Sequence, residues 1–224
     1  MERHFDAELN ALKERILRMG AMVEEQVAHA VKALIERNSD LARQVIENDH
    51  QVNAFDVEID EECLRLIALH QPMARDLRFI TTAMKTSTEL ERMSDLAENI
   101  SERALELNQE ERLPSYDDLH RMARYTQKMV KESLDAFVNG NSKLARKVCQ
   151  DDDVVDELNH RIFRDLFGSM HDEHYSVAQA VRISFTSKYL ERIADHATNV
   201  AELVVYLIEG KIIRHTSPTP NKPE

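Results

Sequence analysis

Tryptophan is absent from this 224-residue chain, and glycine, proline and cysteine are scarce, at 4, 5 and 2 residues. So few turn formers, in a chain that is 42% hydrophobic and 31% charged, is the profile of long helices. Cys63 and Cys149 sit in apolar-periodic stretches and do not correspond in the internal repeat described below, so they read as small buried hydrophobes and not as a disulfide or metal pair. No apolar run approaches the roughly 20 residues needed to span a bilayer. The best candidate, Val200 to Ile213, is interrupted by Glu202, Glu209 and Lys211. Met1-Glu2-Arg3-His4-Phe5-Asp6 lacks the apolar centre of a signal peptide, so a cytoplasmic location is the expectation. No segregated basic run is present, and a formal net charge of -12 repels nucleic-acid phosphates and anionic lipid headgroups. Acidic surfaces instead favour cations or basic partner patches, or simply keep a helical protein soluble.

The sparse breakers cut the chain into six segments. They are Asn38-Ser39-Asp40, Gln71-Pro72, Pro114-Ser115, Gly140-Asn141-Ser142, Gly168-Ser169, and Gly210 before a Pro-containing tail. Helices are expected near 4–37, 39–70, 73–108, 115–139, 142–167 and 176–210. Ser39 and Ser142 are candidate N-caps, Ser115 with Asp118 has capping-box spacing, and Pro72 suits the first turn of a helix. Apolar residues recur at spacings of three and four, as in Val52, Phe55, Ile59, Leu66 and in Leu90, Met93, Ala97, Ile100, and no stretch alternates like a strand. Short loops between long helices imply antiparallel bundles. The tail 214–224 is expected to be disordered.

An internal repeat organises these segments. Asn38-Ser39-Asp40-Leu41-Ala42-Arg43-Gln44-Val45 returns as Asn141-Ser142-Lys143-Leu144-Ala145-Arg146-Lys147-Val148, and Leu90-Glu91-Arg92-Met93-Ser94-Asp95-Leu96-Ala97-Glu98-Asn99 returns as Leu190-Glu191-Arg192-Ile193-Ala194-Asp195-His196-Ala197-Thr198-Asn199. The copies lie about 100 residues apart, three helices each. The expected fold is therefore all-α: two tandem three-helix bundles related by pseudo-twofold symmetry, over 1–110 and 111–213.

Duplication shows which polar residues both copies keep, and they are acidic. Glu91, Asp95 and Asn99, and again Glu191, Asp195 and Asn199, stand at i, i+4 and i+8, one oxygen-rich stripe on a helix face. The preceding helix carries a partner stripe, Asp49, Asn53, Asp56 and Asp60 in the first copy and Asp152, Asp156 and Asn159 in the second, beside the apolar face. Two stripes bordering one seam can meet across an antiparallel pair. Clustered carboxylates repel unless a cation binds or some are protonated. Oxygen donors without His or Cys favour hard ions, Mg, Mn or Fe first, with Ca and Zn after them. The alternative is that these acids pair with Arg43, Arg92, Arg146 and Arg192 as ordinary helix surface. His171 and His174 have no counterpart in the first copy, and His50, His160 and His196 border the stripes without repeat partners; all five are read as extra ligands or, in the plainer reading, as solvated histidines. Met19, Met22, Met122 and Met129 fit core packing. Nothing assembles a nucleophile with its base, a Gly-rich phosphate loop or an HExxH, so a non-enzyme is expected. Two other readings remain, a hydrolase or oxidase using cations on the carboxylates, and a passive helical adaptor.

The chain resembles the PhoU family. The resemblance covers nearly the whole sequence and rests on the duplicated Glu-Arg-(Met/Ile)-(Ser/Ala)-Asp followed by Ala and Asn. Phe5-Asp6-Ala7-Glu8-Leu9 leading to Met19-Gly20-Ala21-Met22-Val23-Glu24, Asp60-Glu61-Glu62-Cys63 and Gln71-Pro72-Met73-Ala74-Arg75-Asp76-Leu77-Arg78 add to it. It implies surface multinuclear metal sites at Glu91 with Asp95 and Glu191 with Asp195, facing Asp49 and Asp152 with Asp156. Asn53 stands where the second copy has Asp156, so the two sites are expected to be unequal. It also implies a negative regulator of the phosphate-starvation response, homodimeric and peripheral to the membrane through its partners. Those partners are the ATPase subunit of a phosphate ABC transporter and a sensor histidine kinase.

Overall fold

The computed structural model describes residues 2–111, 117–169 and 177–213. Six helices follow in order: α1 (Glu2–Glu36), α2 (Ser39–His70), α3 (Ala74–Leu107), α4 (Asp117–Asn139), α5 (Ser142–Ser169) and α6 (Val177–Glu209). No strand occurs among the described residues. Each three-helix unit packs its members on one another, and the units join along α3 with α6 and α1 with α4. Both joining pairs run antiparallel. Arg182, early in α6, pairs with Glu106 at the end of α3, while Arg78, early in α3, lies over the Tyr206 ring late in α6. Likewise Lys13 of α1 reaches the Val138 carbonyl of α4 at 3.2 Å. Exchanging α1 with α4 and α3 with α6 is what a pseudo-twofold axis between the units does.

One apolar cluster runs through both units, with Ile16, Met19, Leu66, Met93 and Ile100 in the first and Met122, Met129, Leu158, Leu190 and Val200 in the second. The methionines at helical spacing are therefore core, apart from half-buried Met22. Where α1 meets α4, Gly20 lies against the Leu134 side chain: a Cβ there would be 2.7 Å from Leu134 Cδ2, so the end of the leucine would have to shift. Cys63 is buried and Cys149 partly buried, and both are free thiols. No helix among the described residues is long and apolar enough to cross a membrane.

The caps fall one residue earlier than the serines suggest. Asn38 caps α2 by accepting from the Leu41 amide at 3.0 Å, and Asn141 accepts from the Leu144 amide at 3.0 Å, leaving Ser39 and Ser142 as first helical residues. The asparagine carbonyl reaches the third amide of the helix, the bond a cap must supply. The preceding helices close with the same left-handed turn, Arg37 (φ 54) and Gly140 (φ 59), and Asn38 and Asn141 return amides to Ala33 and Ala136, both at 2.9 Å. Arginine is an unusual occupant of that region. Its guanidinium is held there by the Leu107 and Glu110 carbonyls, at 2.9 and 2.6 Å, which also ties down the end of α3. Pro72 lies outside any helix, between left-handed Gln71 (φ 46) and extended Met73, and α3 begins only at Ala74. Ser115, His171, His174 and the tail 214–224 lie outside the described residues.

Candidate cation-binding seams

The apolar period of α2 and α3 turns Val52, Ile59, Leu90 and Met93 into the core and so sets the acids on the rim of the same helix pair. In the first unit, Asp49 is only 6% exposed, Asp56, Glu91 and Asp95 are half-buried, and Asn53 is exposed. These acids lie close enough to perturb one another. Burial, then Asp95 and next, more weakly, Asp56 and Asp49, raise the Glu91 carboxyl against the opposing charge of Arg92. Burial and then Asp49 raise Asp95. Arg92 meets Glu91 at 3.5 Å, so the ion-pairing alternative holds in part.

The second unit repeats the arrangement. Burial, followed by the charges of Asp195, Asp156, Asp153 and Glu191, pushes the Asp152 carboxyl up to about 7. Asp156 is raised by burial and Glu191, and Asp195, the most open of the set, by partial burial, Glu191 and Asp156. Lys188 pairs with Glu191 and partly offsets this charge. Acids of neighbouring helices thus lie near enough to raise one another, forming a negative seam on α2–α3 and another on α5–α6.

The remaining sequence candidates divide. Asp60, one turn beyond Asp56 on α2, is raised by burial and then by Asp56. Asn99 turns its amide to the Asp95 carbonyl at 2.7 Å. Asn159 accepts from the Ser187 hydroxyl. Asn199 donates to Glu89 at 3.0 Å, across the joint between units, where His196 also meets Glu89 at 2.7 Å. His50 and His160 are exposed and turn a ring nitrogen to the Glu47 and Asp156 carbonyls. Arg43 and Arg146 pair away from the seams, with Asp40 and Glu209. Glu98, whose counterpart is Thr198, also joins the first seam: burial, Asp49, Glu102 and Asp95 raise its carboxyl.

The donor set suits a hard cation. Asp56 Oδ1, Asp60 Oδ1 and Asp152 Oδ1 are solvent-shielded with no hydrogen-bond partner, and the carboxyls, raised by burial first and by neighbouring acids second, are costly to ionise unless a cation offsets their charge. Among the described residues no three His, Cys, Asp or Glu side chains converge closely enough to enclose a metal ion. What is present is a lined seam and not a preformed cage.

The same helices and duplication recur in known proteins. The PhoU domain matches residues 16–104 and again 119–204. The chain belongs to the PhoU family. The crystal structure of PhoU from Pseudomonas aeruginosa superposes with a TM-score of 0.90 at 41% identity, covering 92% of this chain and all (100%) of that one. The phosphate transport system regulatory protein PhoU from Streptococcus pneumoniae gives 0.87 at 31% identity, over 93% of this chain and 98% of that one. The phosphate-specific transport system accessory protein PhoU of Escherichia coli is 36% identical over 211 residues, 94% of this chain and 88% of that protein. The all-helical fold and its two PhoU repeats are thus established for this chain.

Proposed function

We propose that this PhoU-family chain regulates phosphate transport as an accessory protein, without catalysing a reaction. More specifically, it represses the phosphate-starvation response when phosphate is plentiful, by linking the ATPase subunit of a phosphate ABC transporter to a sensor histidine kinase at the cytoplasmic face. The observation that carries this reading is whole-chain similarity to relatives named as accessory or regulatory proteins of phosphate transport.

The two seams bind divalent or trivalent cations in this reading, Mg, Mn or Fe before Zn or Ca. Asp49, Asp56, Glu91 and Asp95 would hold them in the first unit, and Asp152, Asp156, Glu191 and Asp195 in the second. A bound cation supplies the positive charge that the crowded carboxylates lack. Neutralised, each seam fixes its helix pair and presents one surface for a partner, or for a second copy of the chain, to read. Support comes from the partnerless oxygens and the raised carboxyls.

The test is a host strain lacking this protein and carrying a phosphate-starvation reporter. In high phosphate the reporter should be active, fall silent with the wild-type chain, and stay active with the Glu91→Ala, Asp95→Ala, Glu191→Ala, Asp195→Ala variant. A reporter already silent without the protein would refute the regulatory reading.

A further inference from the structure

The seams share Asp49 with Asp152, Glu91 with Glu191 and Asp95 with Asp195, yet they are not held alike. Ser94, fully buried, donates to Asp49 Oδ1 at 2.7 Å and also touches the side-chain amide of Gln26, itself 6% exposed. A hydroxyl has one proton. Given to the carboxylate, it makes the stronger, charge-assisted bond and leaves Ser94 Oγ to accept from Gln26 turned NH2-first. Asn53 donates to the other oxygen, Asp49 Oδ2, at 2.7 Å. Both oxygens of the most buried acid in the first seam therefore already receive a hydrogen.

None of these donors exists in the second unit. The PhoU matches begin at Ile16 and Leu119, and the same step along α1 and α4 pairs Gln26 with Met129. The turns that close α1 and α4 fix that register, because the Asn38 amide bond to Ala33 recurs as that of Asn141 to Ala136, and burial agrees: Ile16, Met19, Val23, Gln26, Val27 and Ala30 correspond to Leu119, Met122, Thr126, Met129, Val130 and Ser133, all buried. The repeat pairs Ser94 with Ala194 and Asn53 with Asp156. For Asp152, the counterpart of Asp49, the positions that supply an amide and a hydroxyl in the first unit are thus Met129 and Ala194, and the position of Asn53 is the carboxylate Asp156. Its Oδ1 is shielded from solvent without a hydrogen-bond partner.

We infer that Gln26 and Ser94 are positioning residues that do from inside the first unit part of what a cation does from outside. The α2–α3 pair then keeps its local order without a cation, and the α5–α6 pair is the cation-dependent half. This rests on the cation reading proposed above and says which half of the molecule the cation governs.

Hydrogen exchange on the full chain, chelated and then saturated with Mn²⁺, tests it, with bound Mn measured on the same samples. Mn²⁺ should slow exchange about ten-fold in the amides around Asp152 and Asp195, and less than about three-fold around Asp49 and Asp95, as expected for outer-shell support of a ligand. The Gln26→Met, Ser94→Ala variant installs the residues the second unit carries at these sites. It should exchange faster around Asp49 and Asp95 when chelated and recover on Mn²⁺ addition. The converse Met129→Gln, Ala194→Ser variant should reduce the Mn²⁺ effect on α5–α6. Bound Mn²⁺ with equal protection of both pairs would overturn the inference alone, as would a Gln26→Met, Ser94→Ala variant whose chelated exchange matches wild type. No bound Mn²⁺ and no protection anywhere would overturn both the inference and the cation reading.

Discussion

Replacing Asp152 by Asn should stabilise the metal-free protein at pH 8 and far less at pH 4. In the folded chain this carboxyl is pushed up to about 7 from an ordinary 3.8, by burial and by Asp195, Asp156, Asp153 and Glu191. A raised acid costs the fold nothing well below pH 3.8, where both folded and unfolded chains hold the proton. The cost grows as pH rises towards about 7 and is constant above it, because the folded chain must then surrender a proton it binds more tightly. At about 1.4 kcal/mol per pH unit, the difference corresponds to roughly 4 kcal/mol, or about 2–4 kcal/mol once partial solvent screening is allowed for. The amide introduced by the substitution would carry no charge, and Asp156 and Asp195 would each lose a repelling neighbour. For a chain of this length the expected rise in melting temperature at pH 8 is roughly 4–16 °C. Urea unfolding of both proteins in chelator at pH 8, 6 and 4 reads it, with the gain shrinking steadily as pH falls. The same gain at pH 8 and pH 4, or a loss at pH 8, would refute the reasoning. With saturating Mn²⁺ the order should reverse, since the wild type gains a ligand that the variant binds less well.

Two further perturbations test the frame that holds the seams. Gly20→Ala should be nearly neutral, because the nearest obstacle is the mobile end of Leu134 and alanine favours the helix, whereas Gly20→Val should cost about 1–3 kcal/mol by forcing α1 from α4; thermal denaturation with and without Leu134→Ala, which should relieve the clash, checks this. Asn38→Ala and Asn141→Ala should each cost about 1 kcal/mol by removing the bond to the Leu41 or Leu144 amide, measured by urea unfolding, and a neutral effect at either site would return the capping role to the neighbouring serine.

Much of this architecture could be read along the chain because breakers are few and each separates helices longer than 20 residues, so periodicity had room to declare itself. Ends were less legible. Ser39 and Ser142 have the right chemistry for caps, yet Asn38 and Asn141 are the residues whose side chains meet the third amide, a distinction set by backbone angles. Pro72 suits a helix start, but left-handed Gln71 and extended Met73 hold it in the connection. The acidic seams stood out because duplication kept Glu91 and Asp95 as Glu191 and Asp195, and packing of α2 on α3 and α5 on α6 brings in Asp49 and Asp152. The same filter hid what differs between copies. Glu98 and the Gln26–Ser94 pair have no polar equivalents other than Thr198, and their roles depend on contacts between helices distant in sequence. Asn159 and Asn199 kept the helical spacing of the stripes, but Ser187 and Glu89 draw their amides elsewhere.

The central claim is that the seams bind cations and that the bound cation enables regulation. The most direct measurement is elemental analysis of the purified chain beside the Glu91→Ala, Asp95→Ala, Glu191→Ala, Asp195→Ala variant, after chelation and reloading with Mg²⁺, Mn²⁺ and Fe, with helicity recorded on both. The wild type should retain metal through gel filtration, and the variant should stay helical and retain none. Equal metal content in the two, or none in either, would contradict it.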